Sequence, residues 1–280
     1  MDALVRQLND LCDAQPFHTG WYLKDLRTGE AADRHGDVIV PSASTRKIAI
    51  LMTALAGVNA GDFALDQPVT ITAKYQNNNS GCFQHFQPGF TIQFRDVLVM
   101  MIIVSDNAST GTIAEMVGLD RVNALCRSIG MTGTAHRHGM PPGNLGRDHA
   151  VEATNATTPA DVGLLLDMIL AGTRDADAAR RLGCTPELCR LGMDILSWQK
   201  LNARMPALLP TGTKVAHKTG TGARNYNDAG IVFQGDDPLF ILTVYTEHVP
   251  VEMPDGMPGA AAAQQIIARL TRDCWEALKA

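Results

Sequence analysis

Strand-like segments lie at both ends of this chain and enclose a long helical middle. Residues 21–26 alternate as a strand does, and a turn connects them to a predicted partner strand at 31–34. Three further β-rich segments, separated by turn residues, are 215–219, 228–234 and 239–247. Because a sheet must have its apolar face covered, this order predicts one antiparallel sheet built from both ends of the chain.

Helical patterns account for the two termini and most of the middle. Helices are predicted over residues 3–14, 44–56, 91–104, 110–117, 119–129, 162–170, 186–198 and 260–278. Residues 140–158 contain prolines and glycines without any period, which predicts an irregular surface loop.

The predicted fold class is therefore α/β (α+β): an antiparallel sheet flanked by the terminal helices, plus an inserted all-helical lobe. A length of 280 residues suits one domain with two lobes. We assign residues 1–45 with 210–280 to the α/β lobe and residues 46–209 to the all-helical lobe.

The charge balance excludes two classes of partner. Asp and Glu number 29 against 24 Lys and Arg, which gives a net charge of −5 at pH 7, and no basic run is present. Neither nucleic acid nor anionic lipid is predicted to bind such a chain. The longest apolar stretch, residues 97–104, is too short to cross a bilayer. The expected partner is a small molecule, and the sequence contains no signal for oligomeric state.

The first residues do not resemble an export signal. Asp2 is an acid where such a signal has basic residues, and residues 3–14 are amphipathic rather than continuously apolar. The chain as written is predicted to be cytoplasmic. If a signal peptide was removed before this numbering, the expected location is periplasmic or secreted.

Six cysteines are scattered along the chain, and a chain of this length does not need disulfides to hold its core. Reduced, mostly buried thiols are expected. Cys184 and Cys189 are not spaced as zinc ligands, and no close pair of histidines completes a site. The sequence predicts neither a metal nor a cofactor.

Three short motifs occur in a fixed order. They are Ser44-Thr45-Arg46-Lys47, Ser105-Asp106-Asn107 and Lys218-Thr219-Gly220. A serine three residues before a lysine is common by itself, whereas the other two motifs are rarer. Their joint occurrence is what indicates a catalytic site.

The first motif has the residues of an activated nucleophile. A serine hydroxyl is a poor nucleophile at neutral pH and needs a base within hydrogen-bond reach. Residues three apart share a helix face, so Lys47 can point its amine at Ser44 Oγ, and burial among cations favours the neutral amine. The helix N-terminus offers backbone N–H groups to a developing oxyanion. The competing interpretation is a solvated helix end with an unrelated lysine.

The second motif follows an apolar helix. Ser105 can relay a proton to the leaving nitrogen, and Asn107 can hold a substrate amide. The alternative is ordinary turn chemistry or a cap for the next helix.

The third motif stands at a strand end. Lys218 and Thr219 can bind a substrate carboxylate, and Thr221 can add a second oxyanion N–H. The alternative is an edge-strand lysine before a glycine turn.

With these motifs, the chain resembles the class A β-lactamases, the serine hydrolases for which the motif set is a signature shared with penicillin-binding proteins. The similarity extends over nearly the whole length. Other segments that resemble the family are Pro41-Ser42-Ala43, Gln87-Pro88-Gly89, Thr157-Thr158-Pro159 and Asn227-Asp228-Ala229-Gly230-Ile231. The resemblance implies a sheet-containing lobe, an all-helical lobe and an active site in the cleft between them.

One family feature is absent. Members that destroy β-lactams quickly have a glutamate, and four residues later an asparagine, in the loop before the Thr-Thr-Pro segment, where the two position the deacylating water. Here Glu152 is followed by Asn155 three residues later. Glu152 is therefore the candidate general base, and a solvated loop residue is the alternative.

Two further residues are candidate substrate contacts. Tyr75 lies in the segment that forms a cleft wall in the family, where a core aromatic is the alternative role. Arg224 follows the third motif and can help to clamp a carboxylate, or it can be an exposed hairpin arginine.

These residues support hydrolysis of a cyclic amide through a Ser44 acyl-enzyme, with a β-lactam as the family's usual substrate. One alternative is an intracellular hydrolase that opens a different small-molecule amide or ester ring. A second alternative is a penicillin-binding acyl trap that retains the fold with little turnover.

Overall fold

The computed structural model describes residues 1–77 and 79–279. Nine α-helices in this part of the chain are α1 (Asp2–Asp13), α2 (Lys47–Asn59), α3 (Phe94–Ile103), α4 (Asn107–Val117), α5 (Leu119–Ile129), α6 (Pro159–Gly172), α7 (Ala176–Arg181), α8 (Pro186–Ser197) and α9 (Gly259–Leu278). The strands are β1 (His18–Asp25), β2 (Ala31–Arg34), β3 (Val40–Pro41), β4 (Pro68–Ile71), β5 (Phe90–Gln93), β6 (Ala156–Thr157), β7 (Val215–Thr221), β8 (Tyr226–Gln234) and β9 (Asp237–Glu247).

The main sheet joins the two ends of the chain. Its strand order is β2-β1-β9-β8-β7, and all neighbouring strands are antiparallel. Strand β1 from the start pairs along its whole length with β9 from the end, and β7 forms one edge of the sheet. The predicted antiparallel sheet with terminal helices is therefore confirmed.

The two faces of the sheet belong to two different cores. On one face, Phe240, Leu242 and Val244 of β9 join the buried side chains of α1 and α9. On the other face, Ile241 and Tyr245 join the large cluster formed by the helices of the middle. This division follows the two-residue period of a strand, whose successive side chains point to opposite faces.

Local structure in the middle differs from the helical prediction at two places. Residues 91–104, predicted as one helix, begin with β5, which pairs with β4, and only then continue as α3. The β-branched Thr91 and Ile92 suit this strand. A second pair, β3 with β6, ties the segment before the first motif to the end of the loop 140–158. The middle is thus mainly, but not entirely, helical.

None of the helices among the described residues is long and apolar enough to cross a bilayer. All six cysteines are free thiols; five are buried and Cys82 is exposed.

Candidate active site

Ser44 lies in a tight turn between the sheet and the helical middle. Strand β3 leads into a 3₁₀ turn, Ala43–Arg46, which continues directly into α2. Ala43 has a φ of 45°, in the left-handed region that non-glycine residues rarely adopt. Such strain is retained where surrounding contacts impose it, often at functional sites. Here Ser42 supplies the contacts, because its N–H and hydroxyl both donate to the Asn155 carbonyl oxygen, at 2.9 and 3.0 Å.

Strand β7 passes directly beside this turn. A Cβ atom added to Gly220 would lie 3.2 Å from the Ser44 backbone nitrogen and 3.1 Å from the Ser42 carbonyl oxygen. Glycine at this position therefore permits the close approach. Ser44 itself is half-buried, and its hydroxyl makes no hydrogen bond to the residues described here.

Lys47, the first residue of α2, is 1% exposed and reaches the second motif. Its Nζ lies 2.8 Å from the Ser105 carbonyl oxygen, 3.1 Å from Ser105 Oγ and 2.9 Å from Asn107 Oδ1. Burial, followed by the charges of Lys218 and Arg46, holds the pKa of Lys47 well below its ordinary value, against the opposing effect of Asp106. A neutral amine retains two N–H donors for the two acceptor oxygens and has a lone pair for a hydroxyl proton.

The second motif combines a serine that contacts Lys47 with an acid that caps a helix. Ser105 has a φ of 55°, and its carbonyl also accepts a 2.9 Å hydrogen bond from Ser80 Oγ. Asp106 is the N-cap of α4, where it accepts from the Ser109 N–H at 2.8 Å, and its other oxygen accepts from the Phe83 N–H at 2.8 Å. The cap expected as an alternative thus exists beside the hydrogen bonds that Ser105 and Asn107 make to Lys47.

The third motif lies on β7, at the edge of the sheet. Lys218 is fully buried and donates to the Thr219 carbonyl oxygen at 2.8 Å. Burial lowers the pKa of Lys218 to about 7; Asp228 opposes this effect and Arg204 adds to it. Thr219 is buried, while Thr221 is exposed at the end of the strand.

An arginine that the sequence analysis did not select supports the same strand. Arg204 is buried, donates from Nη1 to the carbonyl oxygens of Gly220 and Asn227 at 2.7 and 2.5 Å, and donates from Nη2 to Thr221 Oγ1 at 2.5 Å. The local sequence does not indicate this role of Arg204, because the residue precedes β7 in an irregular segment and acquires its partners only by folding.

His217, the residue before Lys218, is buried on β7. Its Nδ1 is 2.9 Å from Asp228 Oδ1, and Nε2 is 3.2 Å from Asn202 Oδ1. Burial raises the pKa of Asp228, but the nearby His217 and Arg204 outweigh it, so the net shift is downward.

The remaining predicted site residues outside the three motifs are Glu152, Tyr75 and Arg224. Glu152 is exposed in a short 3₁₀ turn and makes no hydrogen bond to the described residues. Tyr75 packs against α4, with its hydroxyl 3.1 Å from Glu115 Oε2 and its ring beside Gly111. Arg224 is 5% exposed and is therefore not an exposed hairpin residue; its Nε donates to Glu247 Oε1 at 2.5 Å.

The loop that precedes the Thr-Thr-Pro segment is held by its asparagine. Asn155 Oδ1 accepts from the N–H groups of Arg137 and His138 at 2.7 and 2.9 Å, and Nδ2 donates to the His138 carbonyl at 3.1 Å. This side chain therefore orders the loop backbone. No cluster of three or more His, Cys, Asp or Glu residues suited to a metal occurs in the described part of the chain.

A serine with a buried lysine, a second serine and a lysine-bearing strand edge defines a serine hydrolase that opens cyclic amide C–N bonds. A model of the β-lactamase enzyme family matches residues 3–278. This chain therefore belongs to the β-lactamase enzyme family, and its fold is that of the class A enzymes.

The three relatives described here are distant in sequence but cover nearly the whole chain. A β-lactamase structure from Sphaerobacter thermophilus is 25% identical, with a TM-score of 0.83 over 99% of this chain and 97% of that one. The acyl-enzyme complex of a PBP-A variant with penicillin G is also 25% identical, with a TM-score of 0.83 over 99% of this chain and 96% of that one. The β-lactamase regulatory protein BlaB of Streptomyces cacaoi is 24% identical over 308 aligned positions, which cover 97% of each protein.

Proposed function

We propose that this protein hydrolyses β-lactam rings through an acyl-enzyme on Ser44. The observation that supports this proposal best is the hydrogen-bond cluster of Lys47 with Ser105 and Asn107. It brings the first two motifs together beside the strand edge of the third, which is the arrangement that acyl transfer by an activated serine requires.

In the acylation step, neutral Lys47 accepts the proton of Ser44 while Ser44 Oγ attacks the lactam carbonyl carbon. The negative charge on the carbonyl oxygen is stabilised by the backbone N–H groups of Ser44 and Thr221. Gly220 supports this arrangement of the two N–H groups, because the absence of a Cβ atom allows β7 to lie against the turn that contains Ser44. The C–N bond then breaks, and the nitrogen takes a proton from Lys47 by way of Ser105 Oγ.

Substrate binding uses the strand edge. The Lys218 ammonium and the Thr219 hydroxyl bind the carboxylate next to the lactam ring, and Asn107 holds the side-chain amide. Arg204 orients the Thr221 hydroxyl and adds positive charge. Arg224 has an indirect role in this proposal: its ion pair with Glu247 stabilises the turn that follows β7. Tyr75 forms part of the cleft wall as a packed aromatic.

Deacylation is the slower half-reaction in this proposal. Glu152 remains the candidate base; it is exposed, and no hydrogen bond to the described residues holds its carboxylate in place. Asn155 Oδ1 already accepts hydrogen bonds from the N–H groups of Arg137 and His138, and one Nδ2 donor is used by the His138 carbonyl, so this side chain has only its second N–H donor left for a water.

These contacts of Asn155 favour a second candidate function: an acyl trap that reports the presence of a β-lactam. BlaB, the relative described above, is a regulatory protein. A cytoplasmic location would instead favour a different cyclic amide or ester as substrate, and cell fractionation tests that location.

The deciding experiment combines a chromogenic cephalosporin with intact-mass measurement. Turnover supports the hydrolase, and a persistent adduct on Ser44 supports the trap. Ser44→Ala should abolish both signals, whereas Ser128→Ala, at an exposed helix position, should change neither. Unchanged turnover in Ser44→Ala would rule out the mechanism, and no reaction in the parent protein would direct the search to another amide or ester.

A further inference from the structure

Arg46, the third residue of the first motif, is a buried cation without a carboxylate partner among the described residues. It is 5% exposed, and its Nη2 donates to the Gly139 carbonyl oxygen. Its Nη1 is buried and has no hydrogen-bond partner in the described chain. Buried charges are normally paired, and an unpaired one requires an explanation.

The groups around Arg46 do not neutralise it. His136 Nε2 lies 3.4 Å from the Arg46 carbonyl oxygen, and His136 Nδ1 is buried without a partner in the described chain. Burial, with a contribution from Arg46, lowers the pKa of His136 to about 3, so this imidazole is uncharged at neutral pH. Burial also lowers the pKa of Arg46, to about 10, which leaves the guanidinium charged at neutral pH. A hydrogen bond to Gly139 alone does not need a positive charge, since an uncharged amide can make it.

The Arg46 charge acts on the amine of the following residue, Lys47. The charged groups that act on Lys47 are Arg46 in the same turn, Lys218 on β7 and Asp106 before α4. Lys218 binds the substrate carboxylate in the proposed mechanism, and that carboxylate offsets the repulsion that Lys218 exerts on Lys47. Arg46 is fixed to Gly139 instead, so its repulsion persists after substrate binds.

We propose that Arg46 is a positioning residue for acylation: its fixed charge, which has no counter-ion among the described residues and lies one residue before Lys47, keeps the Lys47 amine unprotonated while substrate is bound. The inference rests on the proposed function, in which neutral Lys47 is the base for Ser44. It assigns to the third position of the motif an electrostatic task that a hydrogen bond or packing cannot perform.

The sign of the effect follows from charge repulsion. Removing a nearby cation makes protonation of Lys47 easier, so its pKa rises and the amine stays protonated to higher pH. The acidic limb of the acylation rate should therefore move to higher pH in Arg46→Gln, by about one pH unit or more. The rate at the alkaline plateau should approach that of the parent protein.

The test uses penicillin G as the probe and measures adduct formation on Ser44 by intact mass across pH. Arg46→Lys retains the charge, so its acylation rate should fall on the acidic side at the same pH as that of the parent protein. His136→Asn is the matched control, because it changes a buried neighbour that has no charge, and its limb should also stay in place. An unshifted limb in folded Arg46→Gln, or an equal shift in Arg46→Lys, overturns the proposal.

A second readout does not depend on Ser44. Carbamoylation of Lys47 by cyanate requires the neutral amine, so its pH profile, followed by peptide mass, should shift in the same direction in Arg46→Gln. If the parent protein forms no adduct but this profile shifts, the proposed function fails while the role of Arg46 stands; an unshifted profile removes that role. If Arg46→Gln does not fold, Arg46→Met decides instead: its Lys47 profile should move to higher pH than that of the parent protein, and an unshifted profile overturns the proposal.

Discussion

Ser44 owes its candidate reactivity to groups that are distant in sequence. Within its own turn, only Lys47 and Arg46 contribute charge, whereas the hydrogen-bond partners of Lys47 come from Ser105 and Asn107. The two lysines of the site are both buried, and both have a lowered pKa. At the residue scale, the proposed mechanism needs two buried lysines in different states: Lys47 uncharged as the base, and Lys218 charged to bind the substrate carboxylate.

The protonation of Lys218 should set the alkaline limit of substrate binding. Because burial lowers its pKa to about 7, the free enzyme loses this charge as the pH rises above that value. The KM for penicillin G should therefore rise between pH 7 and 9. In Lys218→Arg, which stays charged, KM should change little over this range. Lys214→Arg, directly before β7, is the control and should keep the pH dependence of the parent protein. A flat KM in the parent protein would contradict a carboxylate-binding role for Lys218.

Glu152 can be tested separately from acylation. If Glu152 is the base, Glu152→Gln should acylate at the parent rate and deacylate at least about 100-fold more slowly, since general base catalysis contributes effects of that size. Burst kinetics with intact mass measure both rates. Glu30→Gln, at an exposed turn, is the control, and full turnover in Glu152→Gln would exclude this residue as the base.

At the scale of elements, the site depends on how closely β7, α4 and the 3₁₀ turn approach one another. Asp106 joins the start of α4 to the segment that contains Phe83, and Gly220 permits β7 to lie against the turn. Neither residue touches the reacting atoms in the proposed mechanism. Both determine whether the catalytic side chains are brought within reach.

Asp106→Ala should destabilise the protein, because it removes a helix cap and leaves the Phe83 N–H without its acceptor. The expected loss in free energy of unfolding is about 1–3 kcal/mol. Chemical denaturation measures it, and Asp96→Ala, in the first turn of α3 at a more exposed position, should cost less. Equal losses in both variants would indicate that the Asp106 contacts are unimportant.

Gly220→Ala should impair acylation more than stability. The added Cβ would lie 3.1–3.2 Å from atoms of Ser42, Ala43 and Ser44, so β7 or the turn must shift. Misplacement of an oxyanion donor costs about 100-fold or more in rate. Gly143→Ala, where nothing lies within 4 Å of the added atom, is the control. A parent-like acylation rate in Gly220→Ala would show that the neighbouring backbone accommodates the methyl group.

At the scale of the whole molecule, the sheet places its two faces in different cores and its edge strand β7 beside the turn that contains Ser44. The buried cations near that edge are required for the proposed chemistry but are unfavourable for folding, since burial of an unpaired or weakly paired ion has a desolvation cost. Function and stability therefore oppose each other at this site.

The pH dependence of stability should reveal this opposition. The folded-state pKa of Lys218, about 7, lies below the ordinary lysine pKa of 10.5, so between these values the unfolded chain binds more protons. The contribution of Lys218 to the free energy of unfolding therefore rises with pH across this window and is most unfavourable below it. Lys218→Met should be more stable than the parent at pH 6, by on the order of 1–3 kcal/mol, with a smaller difference at pH 10. Lys214→Met should show no such trend, and a pH-independent difference for Lys218→Met would contradict the argument.

Local patterns in the sequence were sufficient for the sheet, the terminal helices and the residues of the three motifs, because side-chain periodicity and motif spacing are properties of short segments. Strand β5 was missed for the opposite reason: Thr91 and Ile92 become a strand only through pairing with β4. Tyr75 and Arg224 were selected by position along the chain, whereas Glu115 and Glu247 define their surroundings through contacts made on folding. Arg46 belongs to a recognised motif, but that no described residue provides a counter-ion for it is a property of the packed interior. The sequence by itself thus determined which residues can take part in acyl transfer, and the tertiary structure decided burial, charge and approach, because these depend on groups that only folding brings together.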